Sequence, residues 1–178
     1  MADSGVTGVL LVGGASTRFR SPKALALFRG EMLAVRAERV LQEAFGSVIV
    51  VGKAQDALPL PFPVLDDASE ERAAIVGVAA ALRLAQTDLC VVLPTDMPYV
   101  TAELLRSLAA AADGKDAALV QTGPLPGAYR RSVLPVLEAA IGAGHLGLQD
   151  ALASLDLRVL QARDDELTNV NTPADLAP

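Results

Sequence analysis

The chain has 178 residues, with 15 basic and 21 acidic side chains for a formal net charge of −6, 3% aromatic residues, no tryptophan and one cysteine, Cys90. That balance opposes the electropositive surface of non-specific nucleic-acid binding, supplies little for base stacking or a membrane-interface belt, and permits no internal disulfide. No apolar run approaches the roughly 20 residues that span a bilayer, and no basic-then-apolar leader opens the chain, so a reduced, cytoplasmic protein without nucleic-acid or membrane partners is expected, with 1–178 forming one domain.

Short β-branched runs alternate with longer segments rich in Ala, Leu, Glu and Arg, the pattern of βα units on a mostly parallel sheet. Val6 to Val12 is nearly all apolar on both faces, as expected of a central strand covered by helices on each side, and it runs into Gly13-Gly14-Ala15-Ser16-Thr17-Arg18. From Glu31 to Phe45, apolar residues recur at three- and four-residue spacing and predict an amphipathic helix. Val48 to Val51 reads as a short buried strand. A proline-rich connection from Ala57 to Pro63 leads to a brief strand at Val64-Leu65, with Asp66 and Asp67 at its carboxyl end.

Ala73 to Ala85 reads as a helix, and Leu89 to Leu93 as a second strong buried strand ending in Pro94-Thr95-Asp96-Met97-Pro98. Thr101 is placed to cap a helix reaching Ala112, and Ala117 to Gln121 is a strand. Leu125 to Tyr129 is expected to be extended, and Ser132–Ile141 and Gly147–Leu155 to be helical. A last strand, Leu157 to Leu160, precedes the segment from Asn169 to Pro173.

In open α/β sheets, ligands sit outside the carboxyl ends of the strands. Three polar segments occupy such positions: the glycine loop, Asp66-Asp67, and Asp96. Glycines let several backbone N–H groups approach a phosphate, and Arg18 and Lys23 add positive charge just behind them. The spacing excludes the P-loop and the dinucleotide-binding glycine triplet. Alone, Gly-Gly after a strand is as consistent with a tight surface turn. Asp96, between two prolines at the mouth of a buried strand, suits a hard divalent cation such as Mg²⁺ beside substrate phosphates; the bland reading is a cap for the following helix.

With these segments in view, the sequence resembles the molybdenum cofactor guanylyltransferases. Leu11-Val12-Gly13-Gly14-Ala15-Ser16-Thr17-Arg18-Phe19, followed by Lys23, is similar to the family's Leu-Ala-Gly-Gly-x-Ser-x-Arg-Met-Gly-x-x-Lys. Pro94-Thr95-Asp96-Met97-Pro98-Tyr99 resembles its metal motif, and Asn169-Val170-Asn171-Thr172-Pro173-Ala174-Asp175-Leu176 its carboxyl-terminal segment. Pro124-Leu125-Pro126-Gly127-Ala128-Tyr129-Arg130-Arg131-Ser132 is similar to Pro-Leu-x-Ala-Leu-Tyr-Arg-x-Ser. The chain departs from the pattern at Val12, at Arg20 in place of glycine, at Ala73-Ala74-Ile75-Val76-Gly77 in place of Gly-Pro-Leu-Ala-Gly, and at Val51-Gly52-Lys53, which lacks the usual asparagine.

The resemblance implies a Rossmann-like three-layer αβα sandwich of the nucleotide-diphospho-sugar transferase type, and transfer of GMP from Mg-GTP to molybdopterin with release of pyrophosphate. It carries nucleotide contacts onto Leu11, Val12, Gly13, Gly14, Lys23, Asp67 and Asp96, with Mg²⁺ on Asp96 and Arg18, Lys23 and Asp96 acting on the reacting phosphates. Asn169, Asn171 and Arg130 are assigned to the acceptor side, Arg130 being equally readable as a solvated charge. Transient contact with other proteins of cofactor biosynthesis is compatible with this reading.

Three alternatives stay open: cytidylyl transfer from CTP, a sugar-1-phosphate nucleotidyltransferase, and a non-catalytic nucleotide-binding homologue. The single His145 has no ligand-type companions and reads as a loop residue, Cys90 as core packing, and Asp164-Asp165-Glu166 as a solvated turn.

Overall fold

The structure, a computed structural model, describes residues 5–13 and 22–176. Strand β1 (Val6–Leu11) is central, as its two apolar faces require. Val9 packs into one helical layer, while Leu10 and the following Val12 pack into the other.

Beyond the glycine loop, a 3-10 turn (Lys23–Leu25) leads to a small hairpin, β2 (Leu27–Phe28) and β3 (Glu31–Met32), turned at Arg29 and Gly30 with φ of 51° and 81°. Glu31 and Met32 pair with this hairpin, so the helix expected from Glu31 begins two residues later, as α1 (Leu33–Phe45). β4 (Val48–Gly52) lies parallel to β1, and β5 (Leu65–Asp66) parallel to β4. After α2 (Ala74–Leu84), β6 (Leu89–Pro94) returns to the other side of β1, again parallel.

Helix α3 (Ala102–Ala111) opens on Thr101, whose Oγ1 accepts from the Leu104 N–H at 3.2 Å, the expected cap. β7 (Ala117–Val120) follows, and β8 (Gly123–Arg130) inserts antiparallel between β6 and β7. α4 (Leu134–Gly142), α5 (Leu148–Ala151) and β9 (Leu157–Leu160), parallel to β7, complete the order β5-β4-β1-β6-β8-β7-β9. α5 is much shorter than the helix expected over 147–155.

The sheet is thus mostly parallel, with α1 and α3 on one face and α2, α4 and α5 on the other, the three-layer arrangement expected. Along β6, Val91 and Leu93 face α1 and α3, whereas Cys90 and Val92 face α2 and α4. Burial pushes the Cys90 thiol up to about 12, so it is packing and not a nucleophile. Among the described residues no helix is long and apolar enough to cross a membrane.

The chain steps outward from β1 to β4 and β5, then returns to β6 beyond β1. The order therefore reverses between β1 and β6, and a crevice opens at their carboxyl ends.

Candidate functional site

A cleft of about 700 Å³ occupies that crevice. β1 delivers Leu11, Val12 and Gly13; β4 delivers Gly52 and Lys53; Asp67 follows β5, Ala73 and Gly77 open α2, and Thr95 and Asp96 follow β6. With strands about 4.8 Å apart, the three steps from β5 to β6 set the Asp67 and Asp96 sides of the cleft about 14 Å apart.

Glycine is required where backbone meets backbone. A Cβ on Gly52 would overlap the Val12 carbonyl oxygen and lie 2.8 Å from the Val12 Cγ2, so only a bare backbone lets β4 pass this close to the end of β1. Gly77 lets the first turns of α2 approach the Leu11 methyls, which a Cβ would meet at 3.0 Å. The cap residue of α2, Ala73, lines the cleft and has no polar side chain with which to cap the helix.

At the β6 side, Lys23 Nζ lies 3.4 Å from Asp96 Oδ2, with side chains 17% and 25% exposed. Both are therefore reachable by a ligand while held together. The Val170 N–H donates to the Asp96 carbonyl oxygen at 2.8 Å, bringing Asn169 and Asn171, both exposed, beside the Asp96 loop. Asp175 anchors that segment by accepting from the Asn171 and Thr172 amides, each at 2.8 Å. Those amides hold its carboxyl below the usual range, so the anchor is present at neutral pH and is lost as pH falls through the lowered pKa.

At the β5 side, the buried Lys53 ammonium donates to Asp67 Oδ1 at 2.8 Å and to the Ser69 and Glu71 carbonyl oxygens at 2.5 and 2.6 Å. Its three protons are thereby matched to three acceptors. Asp67 Oδ1 also accepts from the Ser69 N–H at 3.1 Å, which leaves its other oxygen for a ligand. Farther out, Arg72 grips Asp56 bidentately at 2.9 and 2.6 Å, and its guanidinium holds the Asp56 carboxyl below the usual range.

The structure thus brings Leu11, Val12, Gly13, Lys23, Asp67 and Asp96 to one cleft, with Asn169 and Asn171 beside it. Gly14 and Arg18 lie outside the described residues. Arg130 is not brought there. It pairs with Leu89 at the amino end of β6, seven residues and about 20 Å from Asp96, where it donates to Asp88 at 2.9 Å and to the Lys115 and Ala112 carbonyls. The acceptor-side assignment of Arg130 is corrected accordingly: its guanidinium ties β8 to neighbouring loops.

Glu166, read as part of a solvated turn, accepts from the Thr101 hydroxyl at 2.6 Å instead. His145 is exposed in a loop as expected. Lys53, Asp56 and Arg72 were missed as site residues; the absence of the family's asparagine at Val51-Gly52-Lys53 was the available signal for the first.

Comparison with known proteins gives this cleft a family. The MobA-like NTP transferase domain matches residues 8–159. The chain belongs to the MobA-like NTP transferase family. It is an enzyme, a nucleotidyltransferase, and the matched residues reach into every strand of the sheet. It is 31% identical over 176 residues to the molybdenum cofactor guanylyltransferase of Pseudomonas putida, covering 93% of this chain and 92% of that one. The crystal structure of molybdopterin-guanine dinucleotide biosynthesis protein A from Archaeoglobus fulgidus superposes with a TM-score of 0.80 at 25% identity, covering 96% and 94% of the two chains. The 2-C-methyl-D-erythritol 4-phosphate cytidylyltransferase of Thermus thermophilus, at 18% identity and a TM-score of 0.75 over 95% and 94%, shares the MobA-like fold.

Proposed function

We propose that this protein transfers GMP from Mg-GTP to the terminal phosphate of molybdopterin, forming the guanine dinucleotide cofactor and pyrophosphate. The observation that carries the reading is the part-exposed Lys23–Asp96 pair, 3.4 Å apart at the crevice between β1 and β6, in a chain 31% identical to a named guanylyltransferase.

The reaction is an in-line displacement. An oxygen of the acceptor phosphate attacks the α-phosphorus of GTP, the bond from that phosphorus to the α,β-bridging oxygen breaks, and pyrophosphate leaves with the electron pair. A phosphate monoester is already ionised at neutral pH, so no protein base is required. Catalysis then rests on positioning and charge neutralisation.

The Lys23 ammonium serves the β and γ phosphates and the charge growing on the leaving group. The Gly13 amide contributes beside it, and Gly14 and Arg18 are assigned to the same phosphates. Asp67, held by Lys53, offers its second oxygen to the ribose, and Asn169 and Asn171 face the acceptor from the far side of Asp96.

A single carboxylate reaches the phosphate end, and among the described residues no group of three or more His, Cys, Asp or Glu side chains could cage an ion. That donor set fits Mg²⁺, which is commonly held by one or two carboxylates together with substrate phosphates and water. Asp96 would hold the ion, whose contribution when bound is neutralisation of the reacting phosphate.

A thermal-shift panel with Mg²⁺ and GTP, CTP, ATP or UTP tests the reading. Saturation at about 100 times the dissociation constant adds about 2.7 kcal/mol, or about 5–10 °C for a chain of this size. GTP alone is expected to give that shift; a shift for CTP alone contradicts the proposal.

A further inference from the structure

The β5 side of the cleft combines apolar surface from Leu11, Leu58 and Ala73 with two ion pairs, Lys53–Asp67 and Arg72–Asp56. Lys53 has already matched its three protons to protein acceptors, and Asp67 has committed one oxygen twice. Asp56 differs. A carboxylate offers about four lone-pair positions, and the Arg72 fork takes the two that point the same way, one on each oxygen, so each oxygen keeps one that points away from the other's.

The carboxylate is also fixed in place. It ends the 3-10 turn Ala54–Asp56, it is gripped at two points by a planar guanidinium, and its side chain remains 23% exposed. Its Oδ2 lies 3.7 Å from where a Cβ on Gly13 would stand, so it overlooks the bare backbone at the end of β1. The cleft therefore presents a rigid, acceptor-only oxygen, Asp56 Oδ2, on the opposite side from Lys23 and Asp96.

Among the nucleobases, guanine alone sets two donors side by side, its ring N1–H and its 2-amino group. Adenine and cytosine carry a ring-nitrogen acceptor at the equivalent edge position, and uracil flanks its one N–H with carbonyls. We propose that Asp56 reads this donor edge and makes the cleft selective for a guanine nucleotide, an inference that rests on the guanylyl reading above. The Arg72 guanidinium grips the same carboxylate from the cleft wall. A base with an acceptor at that edge leaves Asp56 Oδ2 opposed, without a donor from the ligand.

The test compares dissociation constants for GTP, for inosine triphosphate, which lacks only the 2-amino group, and for CTP. They are measured by calorimetry on the wild type, Asp56→Asn and Arg72→Gln. The wild type is expected to bind GTP about 10- to 100-fold more tightly than inosine triphosphate, the worth of one hydrogen bond to a charged group. Asp56→Asn is expected to bring that ratio to within about threefold of one. Arg72→Gln, which breaks the same ion pair but keeps the carboxylate, is expected to retain most of it.

A wild type that prefers GTP, with the ratio unchanged in Asp56→Asn, overturns the inference alone. Equal loss in both variants also overturns it, because selectivity would then follow cleft shape. A wild type that binds CTP in preference to GTP overturns the guanylyl reading and this inference with it.

Discussion

Replacing Lys53 with methionine is expected to lower the thermal midpoint by about 6–20 °C, from a loss of about 3–5 kcal/mol on a chain that shifts by about 2–4 °C per kcal/mol. The Lys53 and Asp67 side chains are only 5% and 8% exposed, so deleting the ammonium leaves a buried carboxylate without its counter-charge. The Ser69 and Glu71 carbonyls lose their partner at the same time. Methionine fills much of the volume, so the cost reports lost polar partnership more than a cavity.

The double variant Lys53→Met/Asp67→Leu is expected to recover at least half of the loss, because removing both charges of a buried pair is far cheaper than removing one. Thermal unfolding of the single and double variants measures this. A single variant within about 2 °C of wild type would show that water solvates the pair well, contrary to its burial here.

The second large effect falls on turnover. Asp96→Ala is expected to reduce nucleotidyl transfer by about 10²–10³-fold or more, the scale on which removal of one group stabilising transition-state charge is felt. Its thermal midpoint is expected to stay within about 4 °C of wild type, since a part-exposed ion pair contributes at most about 1 kcal/mol. The Asp96 side chain is 25% exposed and its contact with Lys23 is 3.4 Å, while the bond that fastens Val170 to this loop uses the Asp96 backbone carbonyl and survives substitution. Steady-state kinetics beside a melting curve separates the two effects. Wild-type turnover in Asp96→Ala would remove Asp96 from the site.

β1 and β6 are legible in the sequence because residues such as Val9, Leu10, Val91 and Val92 are apolar without interruption, a pattern that only a strand covered on both faces tolerates. The Thr101 cap and the placement of Asp96 after a buried strand follow from local chemistry, and the structure keeps both. The β2–β3 hairpin was hidden because two-residue strands carry no periodicity, and its turn uses Arg29 at φ 51°, a conformation the residue type does not announce.

Lys53 was hidden for a different reason. Lysine ordinarily reads as a solvated charge, and its acceptors lie 14 to 18 residues downstream, joined to it only when β5 pairs with β4. Arg130 shows the converse: its motif placed it near the acceptor, but the antiparallel run of β8 carries it to the far end of the sheet. Residues at the carboxyl ends of parallel strands were thus readable, whereas those whose position depends on strand direction or on a non-local pair were not.

Pyrophosphate release reports the proposed reaction most directly. The purified protein would be incubated with molybdopterin and Mg²⁺, together with GTP or CTP, and pyrophosphate followed over time. Release that requires both molybdopterin and GTP, and that disappears in Asp96→Ala, is the predicted result. Release with CTP and not GTP, or GTP binding with no pyrophosphate in the presence of molybdopterin, would contradict it.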